Sequence, residues 1–188
     1  MTKALVIGTS YGGLEALKAI IPLLPKDFPL PVLVVLHIGD NTNDPFINYL
    51  ENLSKLHVKE AEEKESISKG TVYFAPPNYH LLIEDDKTIS LSTDPKVHHS
   101  RPAIDVLFES AAWQYKNHLI GVILTGLNQD GANGLKTIKE FGGHTIVETP
   151  DQAIASVMPL AAIETAEPDF ILPLDEIAAK VIKLSANM

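Results

Sequence analysis

The chain has 188 residues, 45% hydrophobic and 21% charged, with a formal net charge of -9. With no basic surplus to displace counterions, nucleic acid is excluded as a partner. With no cysteine, disulfides, thiolate catalysis and Cys-based zinc sites are excluded too. No apolar run approaches the roughly 20 residues that cross a bilayer, and "MTKALVIG" is too short for a secretory segment. A soluble, cytoplasmic single domain over residues 1–188, with no membrane insertion, is expected.

Apolar bursts alternate with helix-period segments, the pattern of an α/β fold. "KALVIG" reads as the first strand and Tyr11 to Leu23 as a helix. "LPVLVVLH" is apolar almost throughout, as a strand buried on both faces must be. Asp44-Pro45 then supplies an N-cap and a first-turn proline for "PFINYLENLSK". The middle alternates with period two in "GTVYFAPP" and "HLLIEDDKTISLS", with a polar turn from Glu84 to Lys87. It is expected to be a β-hairpin added to the main sheet.

A helix near Pro102 to Tyr115 follows, with Ile104, Leu107, Phe108 and Ala111 on one face. Then "LIGVILTG" reads as a strand, "DGANGLKTIKEFGG" as a turn and helix, "HTIVET" as a strand and "LDEIAAKVIKL" as a closing helix. The expected fold class is a three-layer, doubly wound α/β domain with a mostly parallel sheet and an antiparallel hairpin.

The glycine-rich turn after the first strand admits several chemistries. Gly8 to Gly13 has the spacing of a dinucleotide fingerprint, but Ser10 stands where the second glycine must be, and Leu14-Glu15 breaks the P-loop pattern. A phosphate site at the helix N-terminus remains open. Gly8-Thr9-Ser10-Tyr11-Gly12 also fits G-x-S-x-G, a turn that exposes a nucleophilic hydroxyl next to helix N–H groups suited to an oxyanion. A tight turn with a helix-capping serine explains the same residues.

A serine nucleophile needs an imidazole to take its proton and a carboxylate to orient that imidazole. Of seven histidines, His37 ends a strongly apolar strand, which brings it to the edge of the sheet where sites form. His57, His118 and His144 begin strands and belong at the opposite edge, while His80 opens the hairpin and His98 and His99 lie in a polar loop. Asp130 precedes the helix after the "VILTG" strand, and an N-cap role explains it as well. Asp40 and Asp44 are rival orienters. The order Ser, His, Asp differs from that of α/β-hydrolases.

Taken together, "VIGTSYGG", "LHI", "YFAPPNYHLLI", "SRPAIDVLFESAA" and "GVILTGLNQDGANGL" resemble, in order and over nearly the whole chain, the catalytic domain of CheB-type chemotaxis protein-glutamate methylesterases. The resemblance implies Ser10 as nucleophile, His37 as general base and Asp130 as orienting acid, with no cofactor and no metal. It implies hydrolysis of glutamate γ-methyl esters on cytoplasmic chemoreceptor helices, releasing methanol, and deamidation of glutamines. Backbone groups of Tyr11 and Leu127 are candidates for the oxyanion hole. Arg101, the single arginine, and His80 and His99 are candidates for substrate binding; an ion pair ahead of the helix explains Arg101 equally well.

Tyr11 stands where the family usually has threonine, Leu36 where it has glutamine and Leu127 where it has methionine. Members usually carry a receiver domain ahead of this one. Its absence from the sequence implies a stand-alone form or a receiver-domain regulator acting in trans. Two rivals share these residues: a serine esterase with a non-receptor substrate, and a non-catalytic signalling module.

Overall fold

In the computed structural model, which describes residues 3–37 and 44–187, the first apolar run forms β1 (Ala4–Thr9), buried at every position. Helix α1 (Gly13–Ile20) follows, and its last turn continues as a short 3-10 segment, Ile21–Leu23. Next come β2 (Val32–Leu36), α2 (Asp44–Leu53), β3 (His57–Glu60) and β4 (Thr71–Phe74). The hairpin strands are β5 (His80–Ile83) and β6 (Ile89–Ser92). Then follow α3 (Ile104–Tyr115), β7 (Leu119–Ile123), α4 (Ala132–Glu140), β8 (His144–Glu148), α5 (Val157–Ala166), β9 (Phe170–Leu172) and α6 (Leu174–Asn187).

Seven strands form one sheet in the order β3-β4-β2-β1-β7-β8-β9, and every pairing in it is parallel. Such a sheet must be covered on both faces. Alternate residues of one strand therefore enter different cores. Leu5 and Ile7 pack with α1, α2 and α6, through residues such as Leu17, Leu50 and Val181. Ala4 and Val6 pack with α3, α4 and α5, through Phe108, Leu135 and Met158. These are the three layers expected from the sequence.

The hairpin is real but is not part of the main sheet. β5 and β6 form a separate antiparallel sheet, and Ile89 at its edge also exchanges backbone hydrogen bonds with Lys64 and Glu65, while Thr71–Phe74 is a parallel strand between β3 and β2. Leu81, Ile83 and Ile89 bury against the core beside α3, and Ile83 N donates to Ser110 Oγ of that helix at 3.2 Å. Apolar burial onto a helix face and backbone hydrogen bonds to residues 64–67 together hold the hairpin. The sequence reading assigned neither α5 nor β9.

β1 is the centre of the sheet. Helix α1 leaves it toward one face, and α4 leaves its neighbour β7 toward the other, so the carboxyl ends of β1 and β7 open a crevice between diverging loops. β2 flanks β1 on its other side, with Thr9 aligned to Leu36.

Candidate active site

Ser10, His37 and Asp130 follow the carboxyl ends of β1, β2 and β7, three adjacent strands. Ser10 and His37 line a cleft of about 460 Å³, together with Tyr11, Gly12 and Ile154. Asp130 lies behind His37 and is wholly buried. His37 N donates to Thr9 O at 3.1 Å, which anchors the histidine backbone beside the serine turn.

The serine turn is held by Thr125, a buried residue just past β7. Ser10 N donates to Thr125 O at 3.0 Å, and Thr9 Oγ1 donates to the same carbonyl at 2.8 Å. Thr125 Oγ1 donates to Tyr11 O at 2.9 Å and accepts from Ala155 N at 2.8 Å. Thr125 N in turn donates to the buried Glu148 at 2.8 Å. Gly12, with φ of 84°, takes the left-handed conformation of the turn, so Ser10 does not carry it. Helix α1 has no side-chain cap, which sets aside the capping-serine reading.

Asp130 is held from the opposite side. Its Oδ2 accepts Ile104 N at 2.6 Å and its Oδ1 accepts Asp105 N at 3.0 Å. These are the free amides opening α3, whose own N-cap, Ala103, offers no side-chain acceptor. Asp130 thus caps a helix, though α3 rather than the helix that follows it in sequence.

His37 Nε2 stands 3.0 Å from Asp130 Oδ2, yet it is buried with no aligned hydrogen bond, so the pair is a close contact whose N–H direction misses the oxygen. His37 Nδ1 faces Asn128 Nδ2 at 3.4 Å. Asp130 N donates to Asn128 Oδ1 at 3.1 Å, which turns the Asn128 amide nitrogen toward the ring. A donor facing Nδ1 favours the tautomer with its proton on Nε2, toward the carboxylate. Ser10 and His37 share the cleft without a hydrogen bond between their side chains.

Tyr11 N and Leu127 N donate to no described residue, the condition required of oxyanion donors. Tyr11 lines the cleft; Leu127 is exposed and is not part of its lining. Arg101 Nη1 donates to Thr93 O at 2.7 Å and Asp94 O at 3.0 Å, fastening the segment after the hairpin. His80 is buried, with Nε2 on Pro95 O at 3.1 Å and Nδ1 accepting Ala103 N at 3.2 Å. Both of its nitrogens are committed to backbone, and neither Arg101 nor His80 lines the cleft. His99 is exposed, with φ of 64°. Asp40 lies outside the described residues, as does the side chain of Asp44.

Sequence reasoning passed over Asn128, Asp105, Thr125 and Glu148. The two acids are buried carboxyls raised above their ordinary range: Glu148 by burial, opposed by the Thr125 amide, and Asp105 by burial, with the Asp130 charge adding to it. Nothing in the local sequence marks them, since their burial comes from tertiary packing.

Comparison with known proteins gives the chain's family and fold. A family model described as CheB methylesterase matches residues 5–181. A Leptospira interrogans protein, provisionally named protein-glutamate methylesterase/protein-glutamine glutaminase, is 52% identical over 98% of this chain and 96% of its own length. The protein-glutamate methylesterase/protein-glutamine glutaminase of Clostridium acetobutylicum is 40% identical over 97% of this chain, which spans 53% of that longer protein. The crystal structure of the Thermotoga maritima CheB methylesterase catalytic domain superposes with a TM-score of 0.94 at 38% identity, covering 98% of this chain and 99% of that one.

Proposed function

The chain belongs to the CheB methylesterase family and is a carboxylic ester hydrolase of the protein-glutamate methylesterase type; on that premise we propose that Ser10, His37 and Asp130 carry the reaction. We further propose that the substrates are glutamate γ-methyl esters on cytoplasmic chemoreceptor helices, that the enzyme acts in the cytoplasm, and that residues 1–188 form one catalytic domain. The observation that carries this reading is the succession of Ser10, His37 and Asp130 at adjacent strand ends, with the first two lining one cleft and the third 3.0 Å behind the imidazole.

His37 keeps its Nε2 proton toward Asp130 and takes the Ser10 proton on Nδ1. Nδ1 must first leave Asn128, a long hydrogen bond at 3.4 Å. Ser10 Oγ attacks the ester carbon, and the developing oxyanion is met by backbone N–H groups, with Tyr11 N the candidate at the cleft. The imidazolium returns its proton to the departing methoxide, methanol leaves, and an acyl-serine remains. Water, deprotonated by the same nitrogen, attacks the acyl carbon and releases the glutamate carboxylate and Ser10. A glutamine side chain passes through the same steps with ammonia as leaving group, the second activity in the relatives' names.

Methanol release from membranes carrying methylated chemoreceptors tests the proposal. The parent protein is expected to release methanol, and Ser10→Ala to lose that activity by about 10³-fold or more. Turnover by Ser10→Ala equal to the parent's would overturn the assignment of the nucleophile.

A further inference from the structure

Behind Asp130 lies a second imidazole and a second carboxylate that the proposed reaction does not use. His98 Nε2 stands 3.1 Å from Asp105 Oδ2. Asp105 is nearly as buried as Asp130, and the ligand atoms of His98, Asp105 and Asp130 all lie within 4.8 Å of one another. The two acids are also exchanged between helices. Asp130, ahead of α4, accepts the amides that open α3, while Asp105 in the first turn of α3 accepts Gly134 N of α4 at 2.7 Å.

Two carboxylates this close and this buried cannot both be anions without compensation. Within the cluster the one basic side chain is His98, which lies against Asp105 and keeps 27% of its side-chain exposure. We propose that His98 and Asp105 are a positioning pair that sets the charge behind Asp130, and thereby the pH at which His37 becomes able to take the Ser10 proton. This rests on the reading of His37 as the general base.

The raised Asp105 carboxyl fits this arrangement. Burial pushes it up and Asp130 adds to that, while the Gly134 amide and His98 favour the anion. Among the described residues, the other ionisable groups facing the cluster are Glu109 on α3 and His37. Glu109 is also raised by burial and by both acids. At the cleft mouth Glu15 is neutralised by Lys18 at 2.6 Å.

The test follows the imidazole titration of His37 by NMR, and in parallel the acidic limb of methanol release, in the parent, Asp105→Asn and His98→Gln. Asn keeps an acceptor for Gly134 N, and Gln keeps a donor toward Asp105. Removing the negative charge in Asp105→Asn is expected to move the His37 midpoint and the limb to lower pH. Removing the basic imidazole in His98→Gln is expected to move both to higher pH, each shift being roughly half a unit or more.

Shifts of opposite sign support the pair, because a general loosening of α3 would not reverse sign between the two variants. No shift in either variant, or shifts in the same direction, would overturn it. Should Asp105→Asn not fold, the upward shift in His98→Gln decides alone. The NMR titration reads the coupling even if methanol release fails, so the two proposals fail separately.

Discussion

The amide of Ile104 donates to Asp130 at 2.6 Å across 26 residues of chain, through the same oxygen that faces the His37 ring. One carboxylate therefore closes the N-terminus of α3 and orients the proposed base. Because α3 brings two amides to it, the carboxylate cannot rotate away without leaving buried donors unpaired.

Truncating that carboxylate should therefore affect stability as well as catalysis. Asp130→Ala leaves two buried amides without acceptors and is expected to cost about 2–4 kcal/mol in urea unfolding. Asp130→Asn keeps one acceptor and sets an amide nitrogen against the other donor, costing about 1–2 kcal/mol. Both variants should lose methanol release by roughly 10³-fold or more, as a mis-oriented imidazole does elsewhere. An Asp130→Asn variant with full activity would remove Asp130 from the mechanism and leave it a helix cap.

Thr125 offers a separation of binding from chemistry. Its hydroxyl joins Tyr11 O to Ala155 N, and its carbonyl holds Ser10 N. Thr125→Val unpairs the buried Ala155 amide and the half-buried Tyr11 carbonyl at nearly constant volume, with an expected stability loss of about 1–3 kcal/mol. Because Ser10 is displaced more than the outer cleft, kcat should fall about 10-fold or more with KM little changed. Thr125→Ser, which restores the hydroxyl, should recover most of kcat. Equal loss in Val and Ser variants would count against the hydroxyl.

Much of this was legible in the sequence because it is local. Continuous apolar runs mark strands buried on both faces, and β1, β2, β7 and β8 lie where those runs are. Ser10, His37 and Asp130 could be picked out because each sits just past such a run, where a loop leaves the sheet. The period-two pattern of "GTVYFAPP" misled, since β4 alternates like a hairpin strand while being buried in a parallel sheet. Periodicity reports which faces are apolar and says nothing of the partner strand. β9 is only three residues long, and α5 is apolar on more than one side, so neither carries a clear period. Arg101 and His80 are polar side chains that satisfy backbone carbonyls and amides, which no spacing rule reveals. Asp105 and Glu148 become unusual only when packing removes their water.

The turn itself gives a third prediction. Gly12 has φ of 84°, and a Cβ there would come within 2.8 Å of Ile154 Cβ and 3.0 Å of Thr125 Cγ2. Gly12→Ala is expected to destabilise by about 1–3 kcal/mol, combining left-handed backbone strain with displacement of Ile154 from the cleft wall. Since Ile154 and Gly12 both line the cleft, substrate binding should weaken as well, seen as a raised KM. Unfolding indistinguishable from the parent's would show that the turn adopts another conformation in solution.

The last prediction concerns pH. Glu148 is buried at the end of β8, where burial raises its carboxyl and the Thr125 amide only partly opposes the shift. A carboxyl raised in the folded protein binds its proton more tightly there than in the unfolded chain. Its contribution to stability is then fully present below the ordinary carboxylate range, and is lost as pH climbs from that range through the raised folded value. Glu148→Gln removes the ionisation and keeps an oxygen to accept Thr125 N. The Gln variant should therefore melt above the parent at pH 7 to 8, and the two curves should converge at about pH 4 and below. A Gln variant that melts below the parent at pH 8 would mean that the Glu148 anion is stabilised where it lies, by more than the Thr125 amide alone.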